Sequence, residues 1–337
     1  MTRPSDLAAK KLLIATHHRL DLWIAPEWFA DRLRKEFPQL AVVHMTSYDG
    51  IEKELADADI VFTFSIRPEQ FNEAKRLRWV HSPVAAVHQF LFSEFVNSDV
   101  MLTNAREVHG PVVAEHVIAL IFALARRIPQ SVRFQQKHVW GQEILWRDHA
   151  APAEIAGATL GLVGLGSIGL NVAKRASLLG MQVICVRQHP TGEKLDGVQE
   201  VLPSSKLNEM LVRADYVVLA VPVTDKTRHI IGNKQLWQMK PDAYVINVGR
   251  GPLIDEAALI EALRERKIAG AALDVFDQEP LPADSAFWDL ENVLITPHTA
   301  GMTTKLWERH YTLFSENLRC FLRGEPLRAM VDKKQGY

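Results

Sequence analysis

The chain has 337 residues, enough to build two hydrophobic cores rather than one. Hydrophobic residues make up 47% of it and charged residues 23%, an ordinary globular balance. With Lys+Arg at 39 and Asp+Glu at 40 the formal net charge is -1, which speaks against nucleic acid or an anionic membrane as the main partner, since both select a basic surface.

Two cysteines, Cys185 and Cys320, lie in apolar surroundings without Cys or His at metal-ligand spacing, and read as free thiols of a reducing compartment. The N-terminus lacks the apolar core of a signal peptide. The longest apolar run, Val117 to Ala125, is too short to span a bilayer. A cytoplasmic protein without membrane contact is expected.

Short β-type runs alternate with helical stretches, the pattern of parallel α/β sheets. Strands are predicted at 11–15, 41–44, 60–64, 77–80 and 100–103, with helices at 26–36 and 51–55. A long helix is predicted from Pro111, where proline suits a first turn, to about Arg127. Its core, Ala114 to Ala125, is apolar on nearly every face apart from Glu115 and His116. Residues 128–157 read as irregular. Their Trp140 and Trp146 suit an arm that packs on a second subunit, or an exposed excursion. From Thr159 the pattern becomes regular. Strands are predicted at 159–163, 182–186, 216–221, 243–248, 270–274 and 293–296, and a last helix at about 304–323 ends at Gly324.

Gly164-Leu165-Gly166-Ser167-Ile168-Gly169 is a G-x-G-x-x-G. An apolar strand stands before it, a helix to about Leu179 follows, and a second apolar strand comes next, which makes it a dinucleotide-binding turn. Gly164 would permit the tight turn, Gly166 the approach of a pyrophosphate, and Gly169 close helix packing. Backbone N–H groups near Ser167 and Ile168 would hold the anion. The second strand ends Cys185-Val186-Arg187-Gln188-His189, with an arginine where an acid would bind a ribose 2'-hydroxyl. A guanidinium suits a 2'-phosphate, so NADP is expected as the preferred cofactor, with NAD as the alternative. Arg187 could otherwise stack on the adenine or face solvent.

Further blocks follow at regular intervals: Val221-Pro222-Val223-Thr224 with Thr227, Asn247-Val248-Gly249-Arg250-Gly251, Leu273-Asp274-Val275-Phe276 with Glu279-Pro280, and Thr296-Pro297-His298-Thr299-Ala300-Gly301. Together with the glycine turn they resemble the D-isomer-specific 2-hydroxyacid dehydrogenases, and among them the glyoxylate/hydroxypyruvate reductases. The match is densest from Thr159 to Gly301. The resemblance implies an α/β fold of two Rossmann-like domains with doubly wound parallel sheets. A nucleotide domain at 104–297, carrying a dimerisation helix and arm at about 111–150, would be inserted into a flavodoxin-like substrate domain made of 1–103 and 298–337. Catalysis is then expected in the cleft between domains, in a homodimer.

Reducing a 2-oxo acid needs a hydride at carbon 2, a proton on the carbonyl oxygen and a cation for the carboxylate. The hydride comes from the cofactor. His298 is the candidate acid, because imidazole both gives and takes protons near neutrality. The resemblance pairs it with Glu279, which would orient the ring and raise its pKa. Arg250, after a strand and between two glycines, is the candidate cation, able to grip a carboxylate and reach the carbonyl. The resemblance further implies cofactor contacts at Val221, Pro222, Thr227, Val248, Gly249, Asp274 and His298. Thr227 could instead cap the following helix, and Asp274 the following turn.

The family also takes the substrate carboxylate on backbone N–H groups of an N-terminal loop, usually glycine-rich. Here that loop reads Ser82-Pro83-Val84-Ala85-Ala86-Val87-His88, with alanines in place of glycines and His88 where an acid is common. Substrate contacts are expected at Val84, Ala85, Ala86, Arg250 and His298. Trp307 and Trp288 read as core or interface residues rather than pocket walls. His17 and His18 are adjacent on an extended segment and point opposite ways, so no metal site is expected there. The functional reading is NAD(P)H-dependent reduction of a small 2-oxo acid of the glyoxylate or hydroxypyruvate type to its D-2-hydroxy acid. The alternatives are a dinucleotide-sensing corepressor or scaffold on the same fold, or a phosphoglycerate-type dehydrogenase.

Overall fold

A computed structural model describes residues 10–148, 151–188, 190, 192 and 194–336. It divides into two compact units, Met1–His109 with Met302–Tyr337, and Gly110–Gly301. The sequence reading set the crossings at 103/104 and 297/298, and the structure moves both. Ala105 and Val108 share a core cluster with Leu306 and Leu313, so the chain just after the fifth strand stays with the first unit. Thr299 and Ala300 donate backbone hydrogen bonds to Asp274, so the chain through Gly301 stays with the second.

The first unit holds five parallel strands: β1 (Lys10–Ala15), β2 (Leu40–Met45), β3 (Ile60–Thr63), β4 (Trp79–Ser82) and β5 (Met101–Asn104), in the order β2-β1-β3-β4-β5. This is the flavodoxin-like order. The sheet is buried on both faces, which is why its strands read as continuous apolar runs. Along β1 the side chains alternate between two cores, Leu12 and Ile14 on one face and Leu13 and Ala15 on the other. The helix Leu306–Arg323 covers the first face with Trp307, Tyr311, Phe314, Leu318 and Phe321, spaced three or four apart, and closes at Gly324 in the left-handed region (φ 72).

The second unit is a seven-stranded parallel sheet: β6 (Thr159–Val163), β7 (Gln182–Arg187), β8 (Glu200–Pro203), β9 (Tyr216–Leu219), β10 (Tyr244–Asn247), β11 (Gly270–Leu273) and β12 (Val293–Ile295). Its order is β12-β11-β10-β9-β6-β7-β8. Counted from β6 this is 3-2-1-4-5-6-7, the dinucleotide-binding order with one strand added. The strand order reverses between β6 and β9, at the place where such sheets bind ligands. The edge strand β8 escapes the sequence reading because it is four residues long and only half apolar.

The long helix runs Arg106–Ala125, not from Pro111 to Arg127. Proline was read as a first-turn marker, yet it sits inside the helix, where it removes one backbone hydrogen bond. This helix is long and apolar enough to cross a membrane, but 56% of its apolar window is buried inside the protein. Val113, Ala114, Val117, Leu120, Ile121 and Leu124 pack into the core of the seven-stranded sheet. The segment expected to be irregular contains two helices, Ile128–Gln136 and Gln142–Arg147. Trp140, between them, and Trp146, in the second, are 89% and 73% exposed.

Two histidines are sealed in the first unit. His81 places Nδ1 2.8 Å from the Thr103 hydroxyl, and His310 packs against Phe62, Trp307 and His109. Burial pushes His81 down to about 3 and holds His310 well below the usual range. The unfolded chain, with imidazoles near 6.5, therefore binds more protons than the folded one at every pH between about 3 and 6.5. Stability from these rings is fully present above pH 6.5 and falls as pH drops, by up to about 1.4 kcal/mol per ring per pH unit. Urea unfolding at pH 7.5, 6.0 and 5.0 should show this decline, and His310→Leu should make it shallower. An unchanged slope would remove His310 from the cause.

Candidate active site

The glycine turn joins β6 to the helix Ser167–Leu178. Gly164 has φ 100, and a side chain there would meet Val221 and the Ala220 carbonyl at 2.5 and 2.7 Å. A methyl at Gly169 would lie 2.3 Å from the Gly164 carbonyl, so the helix packs on the turn only because that methyl is missing. At Gly166 a methyl would meet nothing within 4 Å. The outer face of the turn is thus open where a pyrophosphate would lie. The first N–H groups of the helix, at Ser167 and Ile168, have no acceptor one turn back and point outward from its start. The turn fits a dinucleotide.

Arg187 is the last residue of β7 and half-buried. It makes no hydrogen bond or ion pair with another described residue. Val221 and Pro222 follow β9, Val221 lying against Gly164 and Gly249. The Thr227 hydroxyl is used within its own loop. It accepts from the Thr224 N–H at 2.8 Å and donates to the Pro222 carbonyl at 2.7 Å, so it does not cap the next helix.

Arg250 stands beyond the end of β10. The buried Asn247 shapes that loop, donating to the Arg250 carbonyl (2.9 Å) and accepting from the Gly249 N–H (3.1 Å). Asn247 went unremarked as a site residue in the sequence, although an Asn that closes a turn after a strand is a known signal. Gly251 is forced, since a methyl there would fall 2.0 Å from the Phe276 carbonyl carbon. The half-buried guanidinium donates to the Gly249 carbonyl at 2.7 Å. Burial lowers its pKa, and the nearby carboxylates of Glu279 and Asp274 oppose that shift.

His298 and Glu279 meet directly. Nδ1 of the ring lies 2.5 Å from Glu279 Oε2, and Oε1 accepts from the Phe276 N–H at 3.0 Å. Both carboxylate oxygens are engaged, so the ring is held in one orientation. The carboxylate offers lone pairs, so the proton of this pair sits on Nδ1, and Nε2 is left to exchange a proton with a substrate. The His298 side chain is 48% exposed. Its backbone has φ 53, a conformation that costs a non-glycine residue about 1–3 kcal/mol. The His298 N–H is held by the Asp274 carbonyl at 2.9 Å.

Asp274 is held within the loop that follows β12. Its side chain is 1% exposed and accepts from the Thr296 hydroxyl (2.6 Å), the Thr299 N–H (2.9 Å) and the Ala300 N–H (3.1 and 3.2 Å). It ties down the loop that carries His298 rather than capping the turn after β11. His116 adds a contact that sequence reasoning missed, with Nε2 3.1 Å from the Thr296 hydroxyl.

In the first unit, the loop after β4 keeps open backbone donors despite its alanines. The Val84 carbonyl accepts from the Ala105 N–H, and the Ala85 carbonyl from the Asn104 side chain at 2.7 Å. The N–H groups of Ala85 and Ala86 have no acceptor among the described residues. Trp307 is buried and donates to the Leu22 carbonyl, which makes it a core residue. Trp288 is exposed and donates to the Pro282 carbonyl. A cavity of about 190 Å³ in the second unit involves none of the site residues. Its lining includes Arg127, Arg264 and Arg266 as well as Asp148, Asp289 and Glu291, and Asp148 pairs with both Arg127 and Arg266.

This geometry agrees with comparison to known proteins. Residues 118–300 match the family model of the D-isomer specific 2-hydroxyacid dehydrogenase NAD binding domain. A glyoxylate reductase of Korarchaeum cryptofilum is 34% identical over 319 residues, 93% of this chain and 89% of that protein. A D-3-phosphoglycerate dehydrogenase of Methanocaldococcus jannaschii is also 34% identical, over 90% of this chain, which spans only 57% of that longer protein. The crystal structure of a D-isomer specific 2-hydroxyacid dehydrogenase from Xanthobacter autotrophicus Py2, in complex with NADPH and MES, superposes with a TM-score of 0.83 at 29% identity. It covers 98% of this chain and 100% of that one. The chain belongs to the D-isomer specific 2-hydroxyacid dehydrogenase family, whose members are oxidoreductases.

The second and third glycines of the turn separate folding from binding. Gly166→Ala adds a methyl in open space at φ -84 and should leave the melting temperature within about a degree, while weakening dinucleotide binding about tenfold or more. Gly169→Ala should destabilise the fold by about 1–3 kcal/mol. Thermal melts with fluorescence titration of NADPH and NADH would check both. Equal dinucleotide affinity in Gly166→Ala would place the pyrophosphate elsewhere.

Proposed function

We propose that this protein reduces a small 2-oxo acid of the glyoxylate or hydroxypyruvate type to its D-2-hydroxy acid. The observation that carries this reading is the His298–Glu279 pair, with Nε2 left open and the Arg250 guanidinium close to the same carboxylate. A reduced nicotinamide, when bound, supplies the hydride to carbon 2. His298 Nε2 gives the proton to the carbonyl oxygen and takes it back in the reverse direction. Glu279 fixes the ring and stabilises the charged imidazole formed in oxidation. Arg250 binds the carboxylate and polarises the carbonyl, its charge strengthened by partial removal from water. Within the first unit, the open N–H groups of Ala85 and Ala86 suit a carboxylate.

Gly164, Gly166, Ser167, Ile168 and Gly169 would hold the dinucleotide, flanked by Val221, Pro222, Thr227, Val248, Gly249 and Asp274. NADP is the proposed preference over NAD. No acid ends β7, and Arg187 stands there without a described partner. The Xanthobacter relative carries NADPH.

Absorbance assays would pair NADPH and NADH with glyoxylate, hydroxypyruvate, pyruvate and 3-phosphohydroxypyruvate. NADPH with glyoxylate or hydroxypyruvate should be the fastest pairing. His298→Ala should lower kcat about a hundredfold or more with dinucleotide affinity unchanged. Arg250→Ala should lower kcat and raise KM. Arg187→Asp should weaken NADPH far more than NADH. Fastest turnover of 3-phosphohydroxypyruvate would transfer the assignment to a phosphoglycerate-type dehydrogenase.

We further propose a homodimer, because Phe122, Ile128, Val132, Ile144 and the two tryptophans expose apolar surface along one stretch of chain. Sedimentation at micromolar concentration should give twice the 38.0 kDa chain mass. Trp140→Ser with Trp146→Ser should shift it toward monomer. A wild-type protein that sediments only as monomer would overturn this.

A further inference from the structure

We infer that His116 is a positioning residue of this reaction, acting through the Thr296 hydroxyl and the Asp274 carboxylate on the backbone that carries His298. The inference rests on His298 being the proton-transfer residue. His116 stands beside Glu115 in the apolar stretch Ala114–Ala125 of the helix Arg106–Ala125, and its ring is half-buried. Nε2 lies 3.1 Å from Thr296 Oγ1 and 3.7 Å from Asp274 Oδ1. The Thr296 hydroxyl has one proton, and the 2.6 Å contact to Asp274 Oδ1 uses it. Toward His116 that oxygen is therefore an acceptor, and His116 Nε2 must carry the hydrogen. The chain of contacts continues without a gap. Asp274 receives the N–H groups of Thr299 and Ala300, and its carbonyl receives that of His298. These bonds hold the strained φ of 53 from which the His298 ring reaches Glu279. A core histidine with a merely structural role would affect stability alone. A positioning role makes the donor at Nε2 matter to the His298–Glu279 contact.

Two substitutions separate these roles. His116→Phe keeps the ring volume and removes the donor, and His116→Gln keeps an N–H at a similar reach. His116→Phe should lower kcat about five- to tenfold while the dinucleotide dissociation constant and the melting temperature change little, and His116→Gln should restore most of the loss. A second readout needs no turnover. In the free protein, the downfield proton resonance of the His298–Glu279 pair, assigned by its absence in His298→Ala, should shift or broaden in His116→Phe and return in His116→Gln. Wild-type kcat and an unmoved resonance in His116→Phe would overturn the inference, as would an equal loss in His116→Gln. His298→Ala distinguishes the two levels: if it retains turnover the reading of His298 fails, whereas if it is inactive and His116→Phe is unchanged, only the role of His116 fails.

Discussion

The site depends on the burial of one carboxylate. Asp274, at the end of β11, is almost fully removed from water, and a carboxylate in that position is unstable unless hydrogen-bond donors replace the lost solvent. The chain supplies them from a single loop, through the Thr296 hydroxyl and the N–H groups of Thr299 and Ala300. Donors that converge on one carboxylate leave the intervening residues little freedom. His298 lies among them and is forced into a left-handed backbone conformation that an isolated histidine would avoid. The strain is the consequence of satisfying a buried charge, and its result is a ring presented to Glu279.

A second constraint is close backbone approach where the strand order reverses. The helix after β6 sits against the turn it grows from, and that turn sits against the end of β9. The loop beyond β10 presses equally hard on the chain at Phe276 and Asp277. Glycine at 164, 169 and 251 is demanded by neighbouring backbone, whereas Gly166 faces open space. The glycine turn therefore mixes two different needs, packing at Gly164 and Gly169 and ligand access at Gly166. That is why its context of strand and helix carries more meaning than its spacing.

Much of this was legible in the chain because strands buried on both faces read as uninterrupted apolar runs and glycines mark close approaches. The strands from β6 to β12 were placed within two residues, apart from the short edge strand β8. Arg250, Glu279 and His298 could be named because each sits in a block that resembles the family's, and because imidazole and guanidinium suit the proton and the carboxylate of this chemistry. The contacts of Asp274 were not legible. Its hydrogen-bond partners lie more than twenty positions later, and His116, which reaches the cluster through Thr296, lies far earlier on a helix whose apolar composition hides a polar role. Pro111 misled for a local reason, since a proline one turn inside a helix looks the same in sequence as one at its start. The helices at 128–136 and 142–147 were missed because their apolar residues face outward, so no periodic core-facing stripe announces them.

The electrostatic design follows from the same packing. Arg250 is half-buried, which disfavours its charge, yet Glu279 and Asp274 lie close enough to oppose that effect. Neither carboxylate forms an ion pair with it, because Glu279 is bound to His298 and the Phe276 N–H, and Asp274 to the 296–300 loop. The guanidinium is thus stabilised by nearby negative charge while most of its donors remain uncommitted within the described protein. A cation held in that way is prepared for a ligand that brings its own carboxylate. The imidazole beside it is held in the tautomer that leaves Nε2 open. The buried carboxylate of Asp274 positions the acid, that of Glu279 orients it, and together they keep the cation charged without occupying it.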